Sequence, residues 1–122
     1  IKIKIGNYLI INAKIIKKIL LAYTKKIIKM KKPNDLLIDE KKICGILQEV
    51  ITHKKEKYLI TGIGINTKIS PLNEDFKCTS LKINTNIKIN NEIIINKIKK
   101  KYDELIYDLN NHNSSYVKKK YK

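Results

Sequence analysis

Between residues 27 and 65 every apolar run is cut short by a breaker, and that punctuation limits what the chain can fold into. "KKIIKMK" supplies a short strand over 27–31, and Pro33 ends its ladder because proline has no N–H to donate. "LLI" at 36–38 and "KICGILQEVIT" at 42–52 follow as the arms of a hairpin, with the charged "DEKK", 39–42, as its turn. Residues 53–57 make the next turn, and the β-branched run 59–65 makes the next strand. Short apolar runs joined by short polar turns pair with their neighbours, so an antiparallel meander of at least three strands is expected.

Helical periodicity flanks this meander. Over residues 7–23, Tyr8, Ile11, Ile15, Ile16, Ile19, Leu20 and Tyr23 share one side and Lys14, Lys17 and Lys18 the other, with Asn7 as the expected N-cap. Such a helix can lay its apolar face on a core or on a membrane surface, and the core is the reading taken. Residues 72–86 read as connecting chain. Asn90 or Asn91 then caps a second helix with Ile94, Ile98, Tyr102, Leu105, Ile106 and Leu109 on its stripe. "NNHNSS" stops that helix, and Ser114 or Ser115 caps a last short one, "YVKKKYK". Helix, meander, helix predicts an α+β class for one unit over residues 1–122.

The formal charge of +16 is the balance of 27 basic residues, every one a lysine, against 11 acidic ones, and Ile, Lys and Asn fill about half the chain. Codons for these three are AT-rich, so the charge reflects a biased alphabet more than selection for a polyanionic partner. Guanidinium, the group suited to bidentate base and phosphate contacts, is missing, so nucleic acid is set aside as the main partner. Lys14, Lys17 and Lys18 break the longest apolar run before it reaches the roughly 18–20 residues of a membrane span. No secretory signal is evident. Cys44 and Cys78 sit in no metal-ligand or disulfide spacing, so a reducing, cytoplasmic setting is expected. The chain opens on Ile1, and the sequence leaves open whether an initiator region has been lost or the chain is a piece of something longer.

Three strand ends carry the unusual residues: Pro33-Asn34-Asp35, Lys42, and "GIGIN" at 62–66. Glycines within a β-branched strand cost backbone entropy, and Gly62 and Gly64 would clear room for a flat ligand. Asn66 offers the donor and acceptor that an adenine edge requires. A β-bulge followed by a turn asparagine explains the same residues without a ligand. Lys42 is either a solvated turn charge or an ammonium beside space left by Gly45, with Asp35 holding it or meeting a metal-phosphate.

"KKPNDLLIDEKKICGILQE" at 31–49 and "YLITGIGIN" at 58–66 resemble the paired signatures of the biotin protein ligase catalytic domain. The family form is K-W-P-N-D, then K-hydrophobic-small-G-I-L-x-E, then G-x-G-I-N, and the likeness extends from about residue 10, through "TSLK" at 79–82, to the closing "YVKKKY". The resemblance implies a mixed, largely antiparallel sheet flanked by helices, similar to class II aminoacyl-tRNA synthetases and here incomplete. It implies ATP-dependent joining of biotin, through a biotinyl-adenylate, to a lysine of the biotin carboxyl carrier protein of acetyl-CoA carboxylase. Mg2+ would accompany ATP, no membrane would be involved, and a homodimer is compatible.

By position, the resemblance gives Lys42 contact with the biotin carboxyl and the phosphate, and gives Asp35 a part in transfer to the acceptor. Gly45, Ile46, Leu47 and Gly62 would line biotin, Lys31 would sit by the phosphates, Asn34 and Ile65 would contact the adenylate, and Asn66 would pair with adenine. Lys32 replaces the family tryptophan, and nothing in the chain resembles the glycine- and arginine-rich biotin loop of the family's N-terminal half, so the resemblance implies a fragment or truncated form, the C-terminal part of the catalytic domain. Lipoate-attaching ligases share the lysine and glycine and are one alternative. A non-catalytic remnant or half of a split ligase, and a basic nucleic-acid-binding module, are the others.

Overall fold

The computed structural model describes residues 4–32 and 34–122. Its elements run α1 (Ile5–Leu20), β1 (Lys29–Lys31), β2 (Asp35–Ile38), β3 (Lys41–His53), β4 (Glu56–Ile65), a 3-10 turn (Lys82–Asn84), α2 (Asn91–Asn111) and α3 (Ser114–Tyr121). The expected α+β class is what forms. The four strands lie in sequence order and every neighbouring pair is antiparallel. A parallel contact occurs at an isolated bridge between Lys42 and Cys78. The ladder-ending role expected of Pro33 lies outside the described residues.

Both hairpins turn more tightly than the charged stretches suggest. Asp39 and Glu40 alone reverse the chain between β2 and β3, and Lys54 and Lys55 alone do so between β3 and β4. All four have positive φ, between 50° and 66°, the backbone of a two-residue turn that follows the twist of its strands. Non-glycine residues there cost of order 1 kcal/mol each, offset by a longer ladder. That ladder carries Lys41 and Lys42 into β3 instead of leaving them in a loop.

One face of the sheet is covered by helices. The predicted stripe of α1, Tyr8, Ile11, Ile15, Ile16, Ile19 and Leu20, is buried against Leu36, Ile38, Ile43, Cys44 and Ile46. Ile94 and Leu105 of α2 complete the core with Val117 and Tyr121 of α3, whereas Ile106, expected on the same stripe, is exposed. Asn12 lies buried among these side chains with its hydrogen-bonding capacity met. Its Nδ2 donates to Gln48 Oε1 at 2.9 Å, and its Oδ1 accepts from the Tyr102 hydroxyl at 2.8 Å. This network fixes α1 and α2 to β3, as a buried amide must be paired to be tolerated.

The caps correct two assignments. Asn7 does not cap α1, which begins two residues earlier, and its Oδ1 accepts from Lys122 Nζ at 2.7 Å. Asn90 does cap α2, accepting from the amides of Glu92 and Ile93, but α3 is capped by Asn113 and not by a serine. Asp108 docks α3 onto α2 by accepting from Lys120 Nζ and the Tyr121 hydroxyl. These two donors hold the Asp108 carboxyl below its ordinary pKa. No helix among the described residues is long and apolar enough to cross a membrane.

Candidate active site

The helix-free face of the sheet takes its form from one irregularity. Asp35 pairs with Gly45 and Leu36 with Cys44, but Leu37 pairs with Lys42, so Ile43 is an extra residue in β3. A bulge of this kind turns the strand by one side chain. Ile43 and Cys44 therefore both enter the core, and Lys42 comes to the open face beside Gly45. No bulge marks the glycines of β4, whose pairing with β3 is continuous from Cys44–Ile65 to His53–Glu56.

On that face the Lys42 ammonium lies 3.2 Å from Asp35 Oδ1, the two side chains 28% and 24% exposed. A Cβ added to Gly45 would stand 3.0 Å from both Cε and Nζ of Lys42. The glycine thus makes room for the lysine's own stem. The ammonium also lies over the Phe76 ring, 4.9 Å from its centroid. Gly64 and Gly62 oppose Gly45 and Leu47 on β4, and a Cβ at either glycine would find no protein atom closer than 3.8 Å. What these two glycines keep clear is the space above the sheet.

Two cavities meet at Lys42. One, of about 320 Å³, is bounded by Lys42, Gly45, Gly64, Asn66, Phe76 and Cys78, and Ile65 reaches its wall. The other, of about 440 Å³, is bounded by Lys29, Lys31, Lys32, Asp35, Lys42 and Lys77. A larger hollow of about 670 Å³ beside Tyr23 and Thr85 shares no residue with either. It contains none of the clustered side chains described here. Asn34 borders neither cavity but is tied to the site through its carbonyl, which accepts from the Ile46 amide at 2.8 Å. Leu47 stands exposed further along the open face, opposite Gly62.

Two expected residues are placed differently. Ile46 points to the helices and is fully buried in the core, so its side chain does not join Gly45 and Leu47 on the open face. Strand alternation separates it from both. Asn66 directs its amide nitrogen at the carbonyl oxygens of Lys42 and Thr79, at 3.3 and 3.1 Å. Its backbone is held as well, the N–H donating to Ile43 and the carbonyl accepting from Leu81. The donor needed for an adenine edge is engaged within the protein, and Asn66 ties three segments together at the bulge.

Residues 76–78 read from the sequence as connecting chain, with Thr79 marked only by the family likeness. The Lys42 N–H donates to the Lys77 carbonyl and the Thr79 N–H to the Lys42 carbonyl, both at 2.9 Å, so this segment is laced to the site. The available signal was Phe76, the chain's one phenylalanine, standing in a polar stretch. Burial, and secondarily the charge of Asp35, pushes the Cys44 thiol up to about 12, which leaves it inert at neutral pH. Among the described residues no group of three or more His, Cys, Asp or Glu is placed to hold a metal ion.

Gly45→Ala isolates the geometry from the fold. Gly45 does not have a positive φ, so alanine fits the backbone and gains about 0.4–1 kcal/mol by restricting the unfolded chain. Its methyl group displaces the flexible end of Lys42. We expect an unchanged or slightly raised melting temperature with about a 10- to 100-fold loss in any reaction that uses the ammonium. Calorimetry and turnover on the same sample check this.

The chain that carries this lysine and carboxylate above a glycine floor belongs to the biotin/lipoate A/B protein ligase family, whose model matches residues 5–66. Among solved structures it is similar to the apo biotin protein ligase of Aquifex aeolicus, with 25% identity and a TM-score of 0.71 over 97% of this chain and 52% of that one. The same enzyme in complex with biotin and ATP matches at 25% identity and a TM-score of 0.68, covering 93% of this chain and 47% of that one. The Leishmania major biotin protein ligase in complex with biotinyl-5-AMP shares the fold at 22% identity and a TM-score of 0.66, covering 93% and 51%. The chain spans about half the length of the solved structures it matches.

Proposed function

We propose that this chain provides the lysine-bearing face of a biotin protein ligase. In that reaction the biotin carboxylate attacks the α-phosphorus of ATP and pyrophosphate leaves. A lysine amine of a biotin carboxyl carrier protein, such as that of acetyl-CoA carboxylase, then attacks the acyl carbon and AMP leaves. Both steps gather negative charge on phosphate oxygens, which a fixed ammonium stabilises most where water is partly excluded. The observation that carries the reading is Lys42, held by Asp35 above a floor cleared by glycines.

Asp35 has two parts in this account. It orients the ammonium in the free protein, and its carboxylate is placed to orient or accept a proton from the incoming amine. Gly62 and Gly64 admit the flat adenylate, Leu47 supplies apolar contact for biotin, and Lys31 faces the phosphates from the second cavity. Asn34 and Asn66 act by holding the strands that carry these groups. Mg2+ enters with ATP as its counter-ion, and the reaction belongs in the cytoplasm where ATP and carboxylases meet.

The test is biotin-dependent formation of radiolabelled acyl-adenylate from α-labelled ATP by the intact protein that carries these residues. Biotin should support it and lipoate should not. Adenylate formed with lipoate alone would move the substrate to the other branch of the family, and none with either acid would refute the assignment.

A further inference from the structure

Among the described residues Phe76 is the one aromatic side chain that meets the candidate site, and core packing does not account for it. It is 43% exposed and lies outside the buried cluster. Its place is nevertheless determined, because Lys77 and Thr79, on either side of Cys78, are hydrogen-bonded to the backbone of Lys42. The ring so anchored lies 4.9 Å from the Lys42 ammonium and bounds both cavities that meet there. A cation within about 6 Å of an aromatic face is attracted by the ring's quadrupole. With Asp35 on one side and Gly45 beneath, the ring restricts a direction in which the lysine would otherwise be free.

We infer that Phe76 is a positioning residue for Lys42, holding the ammonium at the junction of the two cavities through the face of its ring. The inference rests on the function proposed above for its catalytic consequence, but not for its geometry. A carboxylate alone leaves a long side chain free to swing about the ion pair, since an ammonium is a point charge without directional preference. A ring adds a second, non-ionic anchor. It also leaves the charge undiminished, as a second carboxylate would not.

The geometric arm needs no ligand. In the chain carrying 13C-labelled lysine, the Lys42 ε-methylene should resonate upfield of the other lysines because of the ring current, and should be more ordered. Phe76→Leu keeps an apolar side chain but should abolish the shift and lower the order, whereas Phe76→Tyr should preserve both. In the intact protein, Phe76→Leu should lower kcat for adenylate formation about fivefold to tenfold with KM for ATP little changed, and Phe76→Tyr should restore it. An unshifted Lys42 resonance, or equal behaviour of the Leu and Tyr variants, would overturn the inference. A normal geometric arm with a silent Lys42→Ala would instead count against the proposed function and leave the positioning role standing.

Discussion

Lys42→Ala should lower adenylate formation by about a hundredfold or more, the usual cost of removing a preorganised charge partner from a transition state. Lys41→Ala, one residue earlier in β3, should be nearly silent. The two lysines are adjacent in sequence and alike in chemistry, but the Lys41 side chain is exposed and only Lys42 is paired with Asp35 and set over Phe76. Stability should move little in either variant, because Asp35 is far enough exposed to be hydrated when its partner is lost and partly exposed ion pairs contribute about 0–1 kcal/mol. Equal losses from both substitutions would mean that the hairpin matters for folding and that Lys42 has no special role.

Asn66→Asp should have the largest effect on stability. The substitution keeps the size and turn preference of the residue but puts a carboxylate where an amide donates to the carbonyls of Lys42 and Thr79. An unmet acceptor costs about 1–3 kcal/mol where it is buried, and Asn66 is half-buried, so a loss of about 2 kcal/mol is expected. Thermal melting measures it, and nucleotide titration of the same variant gives the alternative its chance. Unchanged melting with weakened ATP binding would return Asn66 to the adenine edge.

What could be read in advance was what periodicity records. The stripe of α1 and the Asn90 cap depend on spacing within one turn or two of helix, and both formed as expected. Turn lengths did not follow, since a two-residue turn usually advertises itself with Asn-Gly and here is built from Asp39-Glu40 and Lys54-Lys55. The bulge at Ile43 was hidden for a similar reason. Ile43 and Cys44 are both apolar, so the run looks like continuous buried strand, although only a bulge lets Lys42 and Gly45 share a face.

The same alternation that the bulge resets explains why Ile46 left the site and Leu47 stayed in it. A linear motif names three successive residues, but a strand sends them to two faces. Phe76 and Thr79 stand out in the sequence, one as the lone phenylalanine and one in the family likeness, but their roles depend on the backbone of residue 42, more than thirty positions earlier. The family likeness names the candidate residues of the site. It did not say which of them contribute side chains and which hold the others in place.

The central claim is that the adenylate lies on the glycine floor beside Lys42, and amide NMR tests it most directly. The 15N-labelled chain would be titrated with a non-hydrolysable biotinyl-adenylate analogue at millimolar concentration. The account predicts the largest shifts at Lys42, Gly45, Gly62 and Gly64, reduced by Lys42→Ala. A second lysine-lined hollow, bounded by Lys17, Lys18 and Lys119 between the helices, serves as an internal control for simple attraction of phosphate to a basic chain. Shifts concentrated there, with the four β3 and β4 amides unmoved, would contradict the account.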